Sequence, residues 1–134
     1  MPKVCGLGEI VIWVHDMEKS LTFYRDLLGL EVMSPPDIRG ARFLRAGAPA
    51  VSCPQQIVLV PLPLDARAFP TDRKERTLHH LGIEVAAEEF EEWRQRLRNH
   101  GLEPRDGEHP FLRLRGMYVN DPDGNEVELI ASKD

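Results

Sequence analysis

The clearest chemical signal in this sequence is a pair of glutamates in its last apolar segment. Residues 120–130 read NDPDGNEVELI, and Asp-Pro-Asp-Gly is typical of a tight turn because Pro restricts φ and Gly accepts a positive φ. A strand is expected after the turn. Because side chains alternate along a strand, Glu126 and Glu128 share one face and the apolar residues between them share the other. Glu128 is therefore predicted to be either solvated or directed into a polar cavity.

An internal repeat indicates which positions are equivalent to Glu128. Residues 8–32 predict a strand followed by a helix, with Asp16 as its N-cap and Gly29 at its end. Residues 79–104 repeat this plan, with Gly101 in the place of Gly29. Strands punctuated by Pro and Gly follow in both halves, which predicts two β-α-β-β-β modules of about 70 residues each. A module of this size must bury its sheet face, and the other module is the expected partner.

These boundaries predict an α+β fold in one domain over residues 1–134. Module 1 is expected at about 6–62 and module 2 at about 78–132, with a break at 34–40 inside module 1. Between them, about 63–77, lies a stretch rich in Pro and charge that is typical of an exposed connector.

Superposing the two halves identifies four equivalent positions. Glu9 aligns with His80, since each lies five residues before the valine that ends its strand, and Val58 aligns with Glu128. All four are predicted on the sheet face opposite the helices. If the two sheets curl around a shared pocket, three side chains (Glu9, His80 and Glu128) converge there. Histidine and carboxylate ligands together suit Zn²⁺, Ni²⁺, Mn²⁺ or Fe²⁺.

Each of these residues also has a purely structural explanation. Glu9 alone would be an ordinary solvated strand end. His80 beside His79 would be a surface pair, and Glu128 would face water on an antiparallel edge. Their coincidence at equivalent positions is what favours one shared site.

Composition narrows the class of partner. The chain has 134 residues, 42% hydrophobic and 29% charged, with a net charge of −5, as expected of one ordinary globular domain. It contains no Lys or Arg run for binding nucleic acid or an anionic membrane. No apolar run reaches the roughly 18 residues of a membrane span, and the N-terminus lacks a signal-peptide core. We expect a cytoplasmic protein with small-molecule or protein partners, in which Cys5 and Cys53 are reduced thiols.

With Glu9, His80 and Glu128 identified, the sequence resembles the vicinal oxygen chelate superfamily. This group includes glyoxalase I, methylmalonyl-CoA epimerase, extradiol dioxygenases and the fosfomycin- and bleomycin-resistance proteins. The similarity covers nearly the whole chain and is most specific in VHDMEKSLTFYRDLLGLEV (14–32) and YVNDPDGNEVEL (118–129). It implies a curled mixed-sheet cup of two βαβββ modules around one divalent metal ion, with those three residues as ligands.

The sequence departs from the four-ligand pattern at one position. Val58 cannot bind a metal ion, which leaves three ligands unless Gln56, on the same strand face, joins them. One His and two Glu also differ from the two-His, one-Glu set of the extradiol dioxygenases and fosfomycin enzymes. The identity of the metal therefore stays open among Zn, Mn, Fe and Ni.

The resemblance implies a role for further residues. A three-ligand ion would leave positions for a substrate with two adjacent oxygens and would act as a Lewis acid, and Glu9, if weakly coordinated, can act as the base. Tyr118 is predicted beside Glu128 by strand register, as an acid, a substrate contact, or an aromatic that stabilises the strand pair. Trp13 is expected to line the pocket or to pack in the sheet. His109 is expected to cover the mouth of the cup or to be solvated.

Two functions of different classes follow. The first is a metal-dependent enzyme of the glyoxalase or dioxygenase type, with isomerase, lyase, transferase and ring-cleaving chemistry all open. The second is a metal-free protein that binds or sequesters a small molecule, as bleomycin-resistance proteins do. Open sheet edges need a partner or a cover, and members of the resembled family often pair two chains. We therefore expect a two-fold homodimer. Whether one chain or two complete the site stays open.

Overall fold

The computed structural model describes residues 1–36, 38 and 40–134. They form two compact units, Met1–Arg67 and Ala68–Asp134. Each unit has the order βαβββ and one four-stranded mixed sheet, which confirms the predicted α+β fold of two modules. Part of the predicted break at 34–40, positions 37 and 39, lies outside the described residues. No helix in the described part of the chain is both long and apolar enough to cross a membrane.

The sheet of the first unit has the strand order β1-β4-β3-β2. β1 is parallel to β4, and the other neighbours are antiparallel. The strands are β1 (Glu9–Val14), β2 (Glu31–Val32), β3 (Arg42–Gly47) and β4 (Gln55–Pro61).

The helix between β1 and β2 begins and ends as predicted. α1 (Met17–Leu21) starts at Asp16, whose side chain accepts a hydrogen bond from the backbone N–H of Lys19 at 3.2 Å. Gly29 ends the helical segment with φ +75°. The chain between them continues as a π-helix (Thr22–Leu27), which the sequence analysis did not predict. The predicted apolar face is buried and consists of Leu21, Tyr24 and Leu28.

The second unit repeats this plan with the strand order β5-β8-β7-β6, and β5 is parallel to β8. α2 (Phe90–Asn99) follows a 3₁₀ turn (Ala87–Glu89), and Gly101 has φ +79°. The strands are β5 (Leu81–Glu84), β6 (Arg105–Glu108), β7 (Leu114–Asn120) and β8 (Glu126–Ser132). A further 3₁₀ turn (Arg73–Glu75) precedes β5.

The strand registers of the two sheets are the same. Val11 pairs with Val58 in the first unit, and Gly82 pairs with Glu128 in the second. Val58 and Glu128 therefore occupy equivalent positions. Counting back two residues from Val11 and from Gly82 shows that Glu9 and His80 are also equivalent.

Each unit has its own buried apolar residues, as the alternation along its strands requires. On β8, Val127 and Leu129 are fully buried on the face opposite Glu128. In the first unit the fully buried side chains include Val14, Tyr24, Leu44 and Leu59, and in the second Phe90, Leu97, Met117 and Val119. The polar face of the second sheet is thus supported by a dense apolar face on its other side.

Candidate functional site

His80 and Glu128 meet on the polar face of the second sheet. Nε2 of His80 lies 3.2 Å from Oε2 of Glu128, whose side chain is only 9% exposed. The contact follows from the topology, because His80 directly precedes β5 and β5 runs parallel to β8. The two predicted ligands that belong to this unit are therefore side by side.

A glycine on a neighbouring strand makes room for the Glu128 carboxylate, and a glycine on the other neighbouring strand makes room for Ile130. A Cβ on Gly116 of β7 would lie 2.9 Å from both Cγ and Cδ of Glu128, closer than real Cβ atoms approach. A Cβ on Gly82 of β5 would lie 3.7 Å from Oε2 of Glu128 and 2.7 Å from Cδ1 of Ile130. Neither glycine was predicted as part of the site. Their signal was a glycine inside a strand pattern, which marks a close approach of another group to the backbone.

Tyr118 lies beside Glu128 in the register that was predicted. The two residues are directly paired across β7 and β8, with Met117 and Val119 on the opposite face. Room for the ring comes from Gly107 of β6, where a Cβ would lie 3.3 Å from Cδ2 of Tyr118. The register is confirmed, and a catalytic or substrate-binding role for Tyr118 stays a prediction.

The surroundings of Tyr118 keep its hydroxyl protonated. Burial is the main cause that raises the pKa of Tyr118, followed by the hydrogen bond to Glu128 and the negative charges of Glu128 and Glu126. The positive charge of Arg73 opposes this shift. The ring also contacts His80 edge to face, with 5.6 Å between the ring centroids. Tyr118 is therefore a hydrogen-bond donor to the carboxylate at neutral pH.

The two glutamates of β8 have different partners. Glu126 forms ion pairs with Arg73, from the chain segment before β5, and with Arg105 of β6, the latter at 2.8 Å. Arg105 also donates to Oδ1 of Asn120 at 3.1 Å. Among the described residues, no Arg or Lys forms an ion pair with Glu128, whose contacts are His80 and Tyr118. Glu126 is thus neutralised by arginines, whereas Glu128 is not.

The same face of the first unit lacks the features that surround Glu128. Val58 stands in place of the glutamate, and its strand partner is Phe43 where the second unit has Tyr118. Val11 pairs with Val58 where Gly82 pairs with Glu128. Ala41 stands two residues before Phe43, as Gly116 stands before Tyr118. The sequence repeat therefore carries the carboxylate, the hydroxyl and the glycines in its second copy alone.

Three of the predicted site residues belong to the first sheet, Glu9 and Gln56 side by side and Trp13 four residues further along β1. Glu9 is exposed at the start of β1 and pairs in register with Gln56 of β4. Nε2 of Gln56 lies 3.6 Å from Sγ of Cys53, which is a free thiol, as is Cys5. Trp13 is 52% exposed and points to the same face as Glu9. Their roles in metal or substrate binding stay predictions.

His109 shapes the turn between β6 and β7. Its Nδ1 accepts hydrogen bonds from the backbone N–H groups of Phe111 at 3.3 Å and Leu112 at 3.0 Å. Its ring also contacts that of Phe111, with 4.7 Å between centroids. These contacts assign the ring a local structural role, and the predicted substrate contact remains untested.

The donors around Glu128 suit a divalent cation. An imidazole nitrogen and a carboxylate oxygen 3.2 Å apart offer a mixed N,O pair of the kind that Zn²⁺, Mn²⁺, Fe²⁺ and Ni²⁺ accept. Taken by itself, neither unit gathers three His, Cys, Asp or Glu side chains for one metal ion among its described residues. The predicted set draws His80 and Glu128 from one unit and Glu9 from the other, so this set of three stays a prediction.

The sequence matches one family model and is similar to several known proteins. The family model of the glyoxalase/bleomycin resistance protein/dioxygenase superfamily matches residues 6–129. The metallothiol transferase FosB of Staphylococcus saprophyticus is 26% identical over 125 residues, which cover 92% of this chain and 75% of that protein. The catechol-2,3-dioxygenase of Bacillus subtilis is 30% identical over 136 residues, covering 95% of this chain but 41% of the dioxygenase.

Solved structures share the fold. One is a mutant of the fosfomycin resistance protein FosX from Listeria monocytogenes, in complex with Mn(II) and 1S,2S-dihydroxypropylphosphonic acid. The TM-score is 0.68 at 20% sequence identity, and the match covers 98% of this chain and 93% of that one. At this identity the likeness establishes the fold.

Proposed function

Because the chain belongs to the glyoxalase/bleomycin resistance protein/dioxygenase superfamily, we propose that it is a divalent-metal-dependent enzyme. Its substrate would be a small molecule that chelates the metal ion through adjacent oxygens. The observation that supports this most directly is the contact between His80 Nε2 and the nearly buried Glu128 carboxylate. We propose Glu9, His80 and Glu128 as the metal ligands.

The environment of Glu128 supports a cation at this place. A carboxylate that is 9% exposed loses much of its hydration and needs compensation by charge or hydrogen bonds. Tyr118 donates one hydrogen bond but carries no positive charge. The nearby arginines are engaged with Glu126 instead. A divalent cation between Glu128 and His80 would supply the missing positive charge.

The relatives support a metal and a chelating ligand without naming either for this chain. The FosX mutant was solved with Mn(II) and a phosphonic acid whose hydroxyl groups are on adjacent carbons. Mn²⁺ is therefore a reasonable first ion to test here, beside Zn²⁺, Fe²⁺ and Ni²⁺, which the same donor types accept.

Different residues of this chain would have different roles around such a site. A bound divalent ion would supply Lewis acidity, which stabilises negative charge on a substrate oxygen. Tyr118, kept protonated by its surroundings, would donate a hydrogen bond to Glu128 or to the substrate. Glu9 would accept a proton if it binds the ion weakly. Trp13, Gln56 and His109 are the proposed substrate contacts.

Metal analysis of the protein purified without chelator tests this proposal. We expect about one divalent ion per chain, lost in His80→Ala and in Glu128→Ala because each removes a donor. Glu92→Ala removes an exposed carboxylate of α2 and serves as the matched control that keeps the metal. Circular dichroism confirms that the variants fold. Full metal content in Glu128→Ala would refute the site, and a wild-type protein without metal would favour the alternative, a metal-free protein that binds a small molecule.

A further inference from the structure

His79 and His80 share a short contact between their rings. Their Nδ1 atoms lie 2.8 Å apart, and the ring centroids are 5.0 Å apart at an interplanar angle of 71°. At this separation a single proton lies between the two nitrogens, so that one ring donates and the other accepts. His80 is therefore engaged at both nitrogens, because its Nε2 faces Glu128 at 3.2 Å.

The partner at Nδ1 decides what Nε2 of His80 can do. A neutral imidazole has one N–H and one lone pair on its two nitrogens. When Nδ1 carries the proton and donates it to an acceptor, the lone pair of Nε2 is free to bind a metal ion. From this geometry we infer that His79 is a positioning residue. In the metal-bound protein it accepts a hydrogen bond from Nδ1–H of His80 and so holds Nε2 of His80 as a ligand beside Glu128.

Arg73 contacts both the ring and the backbone carbonyl of His79. Nη2 of Arg73 donates to the backbone carbonyl of His79 at 3.2 Å. It lies almost equally far from the two ring nitrogens, 3.2 Å from Nδ1 and 3.3 Å from Nε2. Because a guanidinium can only donate, its contact favours an unprotonated Nδ1 on His79. That nitrogen lies closer to Nδ1 of His80, at 2.8 Å, and can accept a hydrogen bond from it.

The position of Arg73 is itself held by a second contact. The same guanidinium forms an ion pair with Glu126 of β8 through Nη1. A series of contacts therefore runs from Glu126 through Arg73 and His79 to His80, a proposed ligand that lies beside Glu128. The inference rests on the proposed metal site and adds a residue that sets the tautomer of one of its ligands.

Metal affinity in matched variants tests the inference. His79→Phe keeps a ring but removes the acceptor, whereas His79→Asn keeps a side-chain amide that can accept near the position of Nδ1. His100→Phe makes the same change at an exposed histidine after α2 and serves as the control. The dissociation constant of Zn²⁺ is measured by competition with a chromophoric chelator, after all metal is removed. We expect the dissociation constant to be about 10–100-fold higher in His79→Phe. This is the usual effect of removing a residue that hydrogen-bonds to a metal-binding histidine. His79→Asn and His100→Phe should stay near the wild-type value.

A spectroscopic readout on the wild-type protein separates positioning from a general structural effect. In the Zn²⁺-loaded protein, ¹⁵N–¹H correlation spectra of the histidine rings should show His80 protonated at Nδ1. That proton should exchange slowly with water in the wild-type protein and in His79→Asn, and rapidly in His79→Phe. A His80 ring that is protonated at Nε2 in the loaded wild-type protein would overturn the inference even if every variant failed to fold.

The outcomes also distinguish this inference from the proposed function. If Zn²⁺ binds the wild-type protein and His80→Ala equally well, the metal site itself is wrong. If His80→Ala loses Zn²⁺ while His79→Phe binds it with the wild-type constant, the metal site stands and the role of His79 is refuted.

Discussion

Replacing Gly116 by alanine should displace the Glu128 carboxylate and weaken metal binding. Gly116 does not have a positive φ, so its backbone accepts alanine, and the effect is steric. The new Cβ would lie 2.9 Å from both Cγ and Cδ of Glu128, whereas ordinary contacts begin near 3.4 Å. The glutamate side chain must therefore move by about half an ångström or more. Functional side chains must usually be held within about 0.5 Å of their working positions, so this shift is large enough to matter. Its contacts with His80 and Tyr118 would be lost or lengthened.

Gly116→Ala should change both the folding stability and the metal affinity. Overpacking a buried site costs about 1–3 kcal/mol of folding stability, and the lower backbone entropy of alanine in the unfolded chain returns about 0.5–1 kcal/mol. A net loss of about 0–2.5 kcal/mol is expected from these terms. Metal affinity should fall by about 10–100-fold, as when a ligand loses the groups that orient it.

The assay combines metal titration with urea unfolding of the metal-free protein. Gly47→Ala is the matched control, because that strand glycine in the first unit faces the flexible side chain of Gln55 at 3.3 Å. A double-mutant cycle with Glu128→Ala tests the cause, since removing the glutamate leaves room for the new methyl group. In that background, which lacks the metal site, Gly116→Ala should cost no folding stability in urea unfolding. Wild-type affinity in the single variant, or strictly additive stability losses, would refute this reasoning.

Five further results are expected. Burial is the main cause that raises the pKa of Tyr118, and Glu128 raises it further, so Glu128→Gln in the metal-free protein should lower this pKa partway toward its ordinary value of 10.0, as followed by tyrosinate absorbance in a Tyr24→Phe background. Because the pKa of Tyr118 is raised on folding, the associated stability is fully present below pH 10.0 and lost as pH rises through the higher folded-state pKa, which urea unfolding across that range measures; a flat profile would contradict it. The losses of bound metal in His80→Ala and Glu128→Ala should not add, so a double variant with markedly less metal than either single variant would argue against one shared ion. Val58→Glu, at a position that is 2% exposed, should cost about 3–5 kcal/mol in urea unfolding as an uncompensated buried charge, and unchanged stability would count against this interpretation. Light scattering should show a homodimer at micromolar concentration, since each sheet has open edges, and a monomer would disprove it.

Local pattern was sufficient to derive much of the second unit. The DPDG turn forms at the predicted place, with Gly124 at φ +83° and its backbone N–H bonded to the carbonyl of Asp121 at 3.0 Å. Alternation along β8 placed Glu128 on the face opposite its apolar neighbours, and the same alternation on β7 placed Tyr118 beside it. These features follow from the period of a strand and from turn chemistry, which act over a few residues.

The internal repeat predicted which positions of the two halves are equivalent, which no single segment could do. Equal spacing in the two halves identified Glu9 with His80 and Val58 with Glu128, and the strand registers have the same equivalences. Helix caps at Asp16 and Gly29 were readable for the same reason, since a cap depends on the residue type at one position. The π-helix after α1 was not readable, because its wider turn has no distinct composition.

The contacts that distinguish Glu128 from an ordinary strand glutamate were decided by tertiary structure. Arg73 precedes β5 by several residues in a segment that its composition marked as a connector, yet it pairs with Glu126 more than 50 positions later. The contact between Nε2 of His80 and Glu128, and the clearance that Gly116 leaves for Glu128, depend on distances between groups on different strands or strand ends. Sequence periodicity determines which face a residue occupies. Only the packing of strands that are remote in sequence determines which groups on that face come within hydrogen-bonding distance.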